Sequence, residues 1–146
     1  SFIGLRFFTV YGEWGRPDMA LFKFVKNIIL KKKIEVYNKG YHFRDFTHVS
    51  DVVKSITILI KKKPKQIYNI FNIGNSKPVN LMDFISIIEK KINKNAIKKM
   101  KPMQKGDVLG TNSNSSKLYK FTNYKPNVDV KKGIGSFIEW YIQYYK

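Results

Sequence analysis

The first ten residues, SFIGLRFFTV, constrain the fold more than any other part of this sequence. They form a nearly continuous apolar run rich in aromatic side chains, without the polar alternation of a strand that has one face in water. Such runs are typical of strands whose two faces are both covered in a parallel sheet. We therefore expect one buried strand over residues 1–10, and we expect its neighbouring strands to lie in a part of the protein N-terminal to Ser1.

Apolar residues recur at helical spacing in four later segments, and each segment starts at a residue that can cap a helix. The predicted helix starts are Asp18, Ser50, Asn80 and Asp129. Strands are predicted over 34–37, 42–49 and 66–74, with a short strand in 96–108 and a short helix in 113–126. The last helix is predicted to turn five side chains inward: Ile134, Phe137, Ile138, Tyr141 and Tyr145. The alternation of strands and helices predicts an α/β fold.

The net charge of +18 at pH 7 is the most unusual feature of the composition. On its own it favours a polyanionic partner such as nucleic acid. However, 25 of the 28 basic residues are lysines, whereas proteins that read nucleic acid favour arginine for paired hydrogen bonds. The lysine runs at 31–33 and 61–63 fall where helices are predicted to end, and there they complement the helix dipole. We therefore expect no nucleic-acid partner, and a basic polyanion-binding module is the alternative of another class.

A chain of 146 residues without cysteine predicts one domain without disulfides. Two isolated histidines without cysteine partners argue against a zinc site. The sequence has no apolar run of membrane-spanning length and no signal-peptide pattern at its start. We therefore expect no metal, no membrane partner and a cytoplasmic location.

Four polar residues, at three places near the ends of apolar elements, are candidates for binding anions or hydroxyl groups. Arg16 and Asp18 follow a glycine turn before a predicted helix N-terminus, which suits a carboxylate or phosphate. The alternative is a surface ion pair between these two residues. Arg44 lies in a predicted strand, where it either binds an anion or pairs with Asp45. Asp107 stands in a Gly-Asp loop that either accepts hydrogen bonds from hydroxyl groups or is an ordinary turn.

No complete catalytic set is visible in the sequence. His42 and His48 would lie on one face of a strand without a partner base or ligand, so structural roles are expected for both. There is no serine–histidine–aspartate arrangement, no phosphate-binding GxGxxG loop and no carboxylate pair with a distinctive spacing. The sequence therefore predicts no catalytic residue within this chain.

Five segments in colinear order resemble the C-terminal half of UDP-glucuronate 4-epimerases, in the extended short-chain dehydrogenase/reductase superfamily. They are LRFFTVYGEWGRPDMALFKF (5–24), RDFTHVSDVV (44–53), FNIGNSKPVNLMDFISIIE (71–89), MQKGDV (103–108) and GIGSFIEWYIQYY (133–145). The first segment is the specific one, because it differs from its counterpart in galactose epimerases, nucleotide-sugar dehydratases and UDP-glucuronate decarboxylases. The resemblance implies that residues 1–146 are one substrate-binding portion, with the last strands of a Rossmann sheet and a small α/β domain, and that the NAD-binding Rossmann part is absent.

The resemblance implies roles for residues at the sugar and cofactor end of the site. Thr9 and Arg16 match positions that hold the carboxylate of the sugar, and Phe7 and Val10 match positions along the nicotinamide of NAD. The family's glycine-rich NAD loop, its Ser/Thr and its Tyr-x-x-x-Lys pair have no counterpart in this sequence. The resemblance therefore implies that the catalytic residues lie upstream and that this chain alone is inactive.

The resemblance also implies roles at the uridine end. Glu35 and Tyr37 match a segment whose backbone groups bind uracil, Arg44 matches an arginine that binds the pyrophosphate, and Asp107 matches a carboxylate that bonds the ribose. Gln104 stands where related galactose epimerases have a second phosphate-binding arginine. The phosphate charge would then depend more heavily on Arg44.

The implied reaction of the full-length protein is interconversion of UDP-glucuronate and UDP-galacturonate, by NAD-mediated oxidation at carbon 4, rotation of the 4-keto intermediate and re-reduction. The full-length protein is expected to be a homodimer. A UDP-glucuronate decarboxylase or a UDP-glucose 4-epimerase-like enzyme is the alternative within this class. Thr9 and Arg16 together favour a carboxylated sugar. One departure from the family is Glu13, which replaces a usual proline before Trp14 and brings a negative charge close to the predicted anion site.

Overall fold

The computed structural model describes residues 2–145. Its strands are β1 (Phe2–Phe7), β2 (Thr9–Tyr11), β3 (Lys33–Tyr37), β4 (Phe43–Arg44), β5 (Phe46–His48), β6 (Tyr68–Ile73), β7 (Val79–Asn80) and β8 (Ile97–Lys101). Its helices are α1 (Ala20–Ile29), α2 (Val49–Ile60), α3 (Leu81–Ile92), α4 (Ser116–Thr122) and α5 (Val130–Tyr145). A short 3-10 turn, Asn38–Gly40, follows β3. Strands and helices alternate along the chain, as predicted for an α/β fold.

The apolar run at the start of the chain forms two strands rather than one. β1 pairs in parallel with β6, and β2, after a break at Phe8, pairs in parallel with β5. The prediction of one strand is therefore wrong. The prediction that its neighbouring strands lie N-terminal to Ser1 is wrong on the side where β6 and β5 pair with β1 and β2. Within residues 2–145 the run is also not covered on both faces, since Phe2 is 60% and Phe7 50% exposed.

The predicted strand over 42–49 is likewise divided, and Asp45 stands at the division. β4 pairs antiparallel with β7, whereas β5 runs parallel to β2. The backbone carbonyl of Asp45 accepts a hydrogen bond from the Thr9 amide at 3.2 Å, so this residue joins the two pairs. The remaining pair, β3 with β8, is parallel. His42 precedes β4 and His48 ends β5, so the two histidines belong to different segments and not to one strand as predicted.

Two of the four predicted helix caps are confirmed. The Asn80 side chain accepts a hydrogen bond from the Met82 amide at 2.8 Å, and Asp129 accepts one from the Lys131 amide at 2.8 Å. The other two predictions are wrong. The α1 helix begins at Ala20 with Met19 at its N-cap position and without a side-chain cap, and the Asp18 carboxylate is paired with an arginine. The α2 helix begins at Val49, and the imidazole of His48, rather than Ser50, accepts the hydrogen bond at its start.

The buried apolar residues form two clusters. The larger one joins α1, β3, α3 and α5, and its fully buried members include Val25, Val36, Phe84, Ile85, Ile88 and Ile134. The smaller one packs α2 and α4 against β6 and consists of Val52, Leu59, Phe71, Ile73 and Leu118. The inward stripe predicted for the last helix is confirmed except at its end, where Tyr145 is 51% exposed. β2 and β5 run between the two clusters, and the candidate site lies at their ends.

The lysine runs are placed as the sequence predicts. The first run follows the end of α1 at Ile29 and the second follows the end of α2 at Ile60, so both lie beside helix C-termini. Within the described part of the chain, every helix is too short or too polar to cross a bilayer.

Candidate functional site

Two neighbouring cavities open where β1, β2 and β4 end. The larger cavity has a volume of about 710 Å³ and follows the chain from Phe7 to Arg16. The smaller cavity, about 250 Å³, lies between α1, β3 and the loop after β8. Thr9 and Met19 line both cavities, so the two are adjoining parts of one groove.

This groove brings together all eight residues to which the resemblance assigns a binding role. Four of them line the larger cavity: Phe7, Thr9, Val10 and Arg16. Thr9 also lines the smaller cavity with the remaining four, which are Glu35, Tyr37, Arg44 and Asp107. These residues come from separate parts of the sequence, and it is the fold that brings them together in one groove.

Arg44 is held by three acceptors at the base of the smaller cavity. Its Nη2 donates to Asp107 Oδ1 at 2.7 Å, and its Nη1 donates to the carbonyls of Phe43 at 3.0 Å and Leu109 at 3.3 Å. The side chains of Arg44 and Asp107 are 21% and 30% exposed. The alternative pairing of Arg44 with Asp45 is therefore wrong, and the guanidinium has a fixed position before any ligand is present.

Asp45 instead anchors the backbone behind the site. It is fully buried, and its carboxylate accepts hydrogen bonds from the amides of Asn75 at 2.9 Å, Ser76 at 2.9 Å and Ser113 at 2.8 Å. These bonds tie the start of β5 to the end of β6 and to the segment before α4. Sequence reasoning missed this role, although a charged residue inside an otherwise β-like segment was an available signal.

The loop between Asp107 and Thr111 is fastened to β4 by backbone hydrogen bonds. The Phe43 amide donates to the Leu109 carbonyl at 3.1 Å, and the Thr111 amide donates to the Phe43 carbonyl at 3.2 Å. Asp107 also accepts from the Val108 amide at 2.8 Å, and its other oxygen lies 3.7 Å from His42 Nε2. The carboxylate is thus oriented from three sides. It is a structural partner of Arg44 and not merely part of a turn.

Arg16 is paired with a carboxylate at the mouth of the larger cavity. Its Nε and Nη2 donate to the two oxygens of Asp18 at 3.0 and 2.6 Å, and the side chains are 76% and 56% exposed. The hydrogen bond from Arg16 is the main cause that holds the pKa of Asp18 below its ordinary value, and the charge of Arg16 acts in the same direction. The surface pair that the sequence left as an alternative is therefore present. Its geometry is also that of an arginine binding a carboxylate.

The loop that carries Arg16 contacts the rest of the fold through two other side chains. Glu13 Oε2 lies 3.4 Å from Nε2 of the buried His48. The ring of Trp14 packs on the rings of Trp140 and Tyr144, with centroids 5.2 and 4.9 Å apart. His48 Nδ1 faces the start of α2, where it lies 2.8 Å from the Ser50 hydroxyl, while its Nε2 faces Glu13.

Gly12 allows this loop to leave β2. Its φ of +135° lies in a region that side chains disfavour, and an added Cβ would come within 2.7 Å of Val49 Cγ1. A side chain here would push the loop away from the start of α2. The glycine therefore allows the loop to lie close against the start of α2.

Glu35 and Tyr37 neighbour each other along β3 at the far side of the smaller cavity. The Tyr37 hydroxyl donates to Glu35 Oε2 at 2.9 Å, and Lys101 Nζ lies 3.4 Å from Glu35 Oε1. These two contacts lower the pKa of Glu35, and the bond to Glu35 raises the pKa of Tyr37. The two side chains are therefore bonded to each other at the lining of the smaller cavity.

A family model, a curated relative and a solved structure all indicate the same kind of protein as similar to this chain. The sequence model described as "NAD dependent epimerase/dehydratase family" matches residues 1–74, about half of this chain. Over 141 residues the chain is 59% identical to an uncharacterized protein of Methanocaldococcus jannaschii, with 97% of this chain and 43% of that protein covered. It is 41% identical to a probable UDP-glucuronate 4-epimerase of Rhizobium meliloti, with 97% of this chain and 46% of that protein covered.

The fold is also that of a solved relative. The crystal structure of UDP-glucuronic acid 4-epimerase from Bacillus cereus, in complex with UDP-glucuronic acid and NAD, superposes with a TM-score of 0.91 at 30% identity. The superposition covers 97% of this chain and 45% of that protein. The predicted fold class is thereby confirmed. The chain spans less than half the length of each of these three relatives.

Proposed function

Because this chain belongs to the NAD dependent epimerase/dehydratase family, we propose that it binds a UDP-linked sugar along the groove formed by the two cavities. One observation carries the proposal: the eight residues singled out by the family resemblance line two cavities that meet at Thr9 and Met19. A nucleotide sugar is itself a two-ended ligand, and its uridine and sugar ends would lie in the smaller and larger cavity respectively.

In this proposal Arg44 binds the pyrophosphate of the ligand. Three acceptors already hold its side chain, so little side-chain entropy is lost when a ligand binds. Asp107 neutralises part of its charge and also offers oxygens to a ribose hydroxyl. Gln104 cannot supply a second cation, so Arg44 would provide most of the local positive charge to the phosphates.

The sugar end would bear a carboxylate. Arg16 and Thr9 both line the larger cavity, so residues with a guanidinium and a hydroxyl group border the same space. Arginine binds a carboxylate through two parallel N–H bonds, which orient it as well as attract it. We propose a UDP-hexuronate as the ligand in preference to a UDP-hexose.

NAD fits the remaining surface of the larger cavity. Phe7 and Val10 present apolar surface there, and the Phe7 ring is half exposed, which suits contact with a flat nicotinamide ring. When bound, NAD supplies reversible hydride transfer. This chain would contribute the apolar surface beneath the ring, while the groups that bind the rest of the cofactor would come from a further part of the protein.

For the whole protein we propose interconversion of UDP-glucuronate and UDP-galacturonate at carbon 4. The 4-keto uronate on that route is a β-keto acid, which loses carbon dioxide when the breaking bond aligns with the carbonyl π system. Thr9 and Arg16 would hold the carboxylate near the carbonyl plane and so prevent that alignment, an orientation effect on the reaction. A decarboxylase remains the alternative, and it would lack this restraint.

Calorimetric titration of the chain with UDP-glucuronate tests the binding proposal. Arg44→Ala should weaken the affinity about tenfold or more, because it removes charged hydrogen bonds. Arg6→Ala is the matched control, since Arg6 is exposed on β1 and lines neither cavity. Equal affinities for the two variants would contradict the proposal. A steep inverse salt dependence for single-stranded DNA, affected equally by both variants, would favour the polyanion-binding alternative.

Product analysis tests the proposed reaction in a full-length protein that contains this sequence. The wild-type protein should convert UDP-glucuronate to UDP-galacturonate without releasing a UDP-pentose. Arg16→Ala should lower the rate of epimerisation at least tenfold and yield some UDP-pentose. UDP-pentose as the main product of the wild-type protein would instead identify a decarboxylase.

A further inference from the structure

The Arg16 guanidinium already holds a carboxylate, and that carboxylate belongs to this chain. Asp18 occupies the edge of the guanidinium formed by Nε and Nη2, with both of its oxygens bonded. Pro17 separates the two residues, so the pair closes over a very short stretch of chain. A sugar carboxylate that approached the same guanidinium would meet the charge of Asp18 as well as that of Arg16.

We propose that Asp18 tunes the ligand preference of this site by competing with a ligand carboxylate for Arg16. The inference rests on the proposed function and extends it to a residue without an assigned role. When a uronate binds, its carboxylate takes the place of the Asp18 carboxylate. Arg16 then exchanges two charged hydrogen bonds for two of the same kind. A neutral hydroxymethyl group cannot do so, because hydrogen bonds from a guanidinium to a neutral oxygen are weaker. With a neutral sugar the pair between Arg16 and Asp18 stays closed.

The surroundings of the pair allow this exchange. Both side chains are mostly in water, and exposed ion pairs of this kind open at little cost. After the contribution of Arg16, the charge of Lys23 also lowers the pKa of Asp18, so a released carboxylate still has a cation nearby. The pair between Arg44 and Asp107 is different, since backbone carbonyls hold that guanidinium as well.

Titration of the chain with UDP-glucuronate and UDP-glucose tests the competition. Asp18→Asn should tighten binding of UDP-glucuronate about two- to fivefold, the range expected for removing an exposed ion pair, and leave UDP-glucose unchanged. Glu139→Gln removes the same charge from an exposed position outside both cavities and should change neither affinity.

A double-mutant cycle separates competition for Arg16 from simple repulsion between Asp18 and the uronate. In an Arg16→Ala background, Asp18→Asn should no longer change the ratio of the two affinities. If the ratio still rises by the same factor, charge repulsion accounts for the effect and the competition is wrong.

The outcomes also separate this inference from the proposed function. If UDP-glucuronate binds and depends on Arg44, but Asp18→Asn and Glu139→Gln behave alike, then only the role of Asp18 is refuted. If neither nucleotide binds the wild-type chain, the proposed function fails and the inference fails with it.

Discussion

The two arginines of the groove are positioned in opposite ways. Arg44 is partly buried, and its carboxylate partner lies 63 residues away in the sequence. Arg16 is exposed on a loop, and its carboxylate partner lies two residues away. The first site therefore depends on the whole fold, whereas the second is built from a few consecutive residues.

This difference matches what the two ends of the proposed ligand require. A pyrophosphate is common to all UDP-linked sugars, so a fixed guanidinium suits it and lowers the entropy lost on binding. The sugar differs from one nucleotide sugar to another, and a local, exposed pair can change its partner without disturbing the core. We infer that the site with long-range contacts provides affinity and that the local site provides selectivity.

The largest expected effect comes from removing the anchor behind Arg44. Asp45→Asn replaces one acceptor oxygen with an NH₂ group that faces backbone amides, so a buried donor is placed against another donor. The free energy of unfolding should fall by about 3 kcal/mol. Urea denaturation measures this change. Asp83→Asn, at an exposed position in the first turn of α3, is the control. A loss below 1 kcal/mol would show that Asp45 does not anchor the Arg44 site.

A smaller effect is expected when the Arg16 loop loses its contact with α5. Trp14→Ala removes the packing of the Trp14 ring on Trp140 and Tyr144, and each such aromatic pair contributes about 1 kcal/mol. For the two pairs together, the free energy of unfolding should fall by about 2 kcal/mol. Affinity for UDP-glucuronate should fall severalfold, while affinity for UDP stays the same. An equal loss for both ligands would mean that the loop is not independent of the Arg44 site.

The smallest effect is a change in one titration curve. Because Arg16 holds the pKa of Asp18 below its ordinary value, the pair is complete at neutral pH and is lost as the pH falls through that lowered pKa. In Arg16→Ala the pKa of Asp18 should rise toward its ordinary value. Carboxyl carbon NMR measures both curves. Identical curves would show that the two side chains are not paired in solution.

The contrast between local and long-range contacts also explains which features could be predicted from the sequence. The caps at Asn80 and Asp129 and the ends of the lysine-terminated helices were predictable because each depends on residues within one helical turn. The surface pair of Arg16 and Asp18 could be named as an alternative because the two residues are only two positions apart in the sequence. The cap predicted at Asp18 is wrong because both carboxylate oxygens are bonded to Arg16 and the N-cap position of α1 is Met19.

The long-range features could not be predicted in this way. Asp45 bonds to amides 30 and 68 residues away, and nothing near it in the sequence identifies those partners. The division of the first apolar run into two strands depends on β6 and β5, which lie much later in the chain. The family resemblance singled out residues of the groove, and the fold shows how the chain brings them together.

The most direct test of the division between affinity and selectivity is the ratio of the affinities for UDP-glucuronate and UDP-glucose. Wild-type chain should prefer UDP-glucuronate. Arg16→Ala should bring the ratio close to one without weakening UDP-glucose, whereas Arg44→Ala should weaken both nucleotides about tenfold and leave the ratio unchanged. If Arg16→Ala weakens binding of both nucleotides equally, or if Arg44→Ala changes the ratio, the two arginines do not divide affinity and selectivity between them.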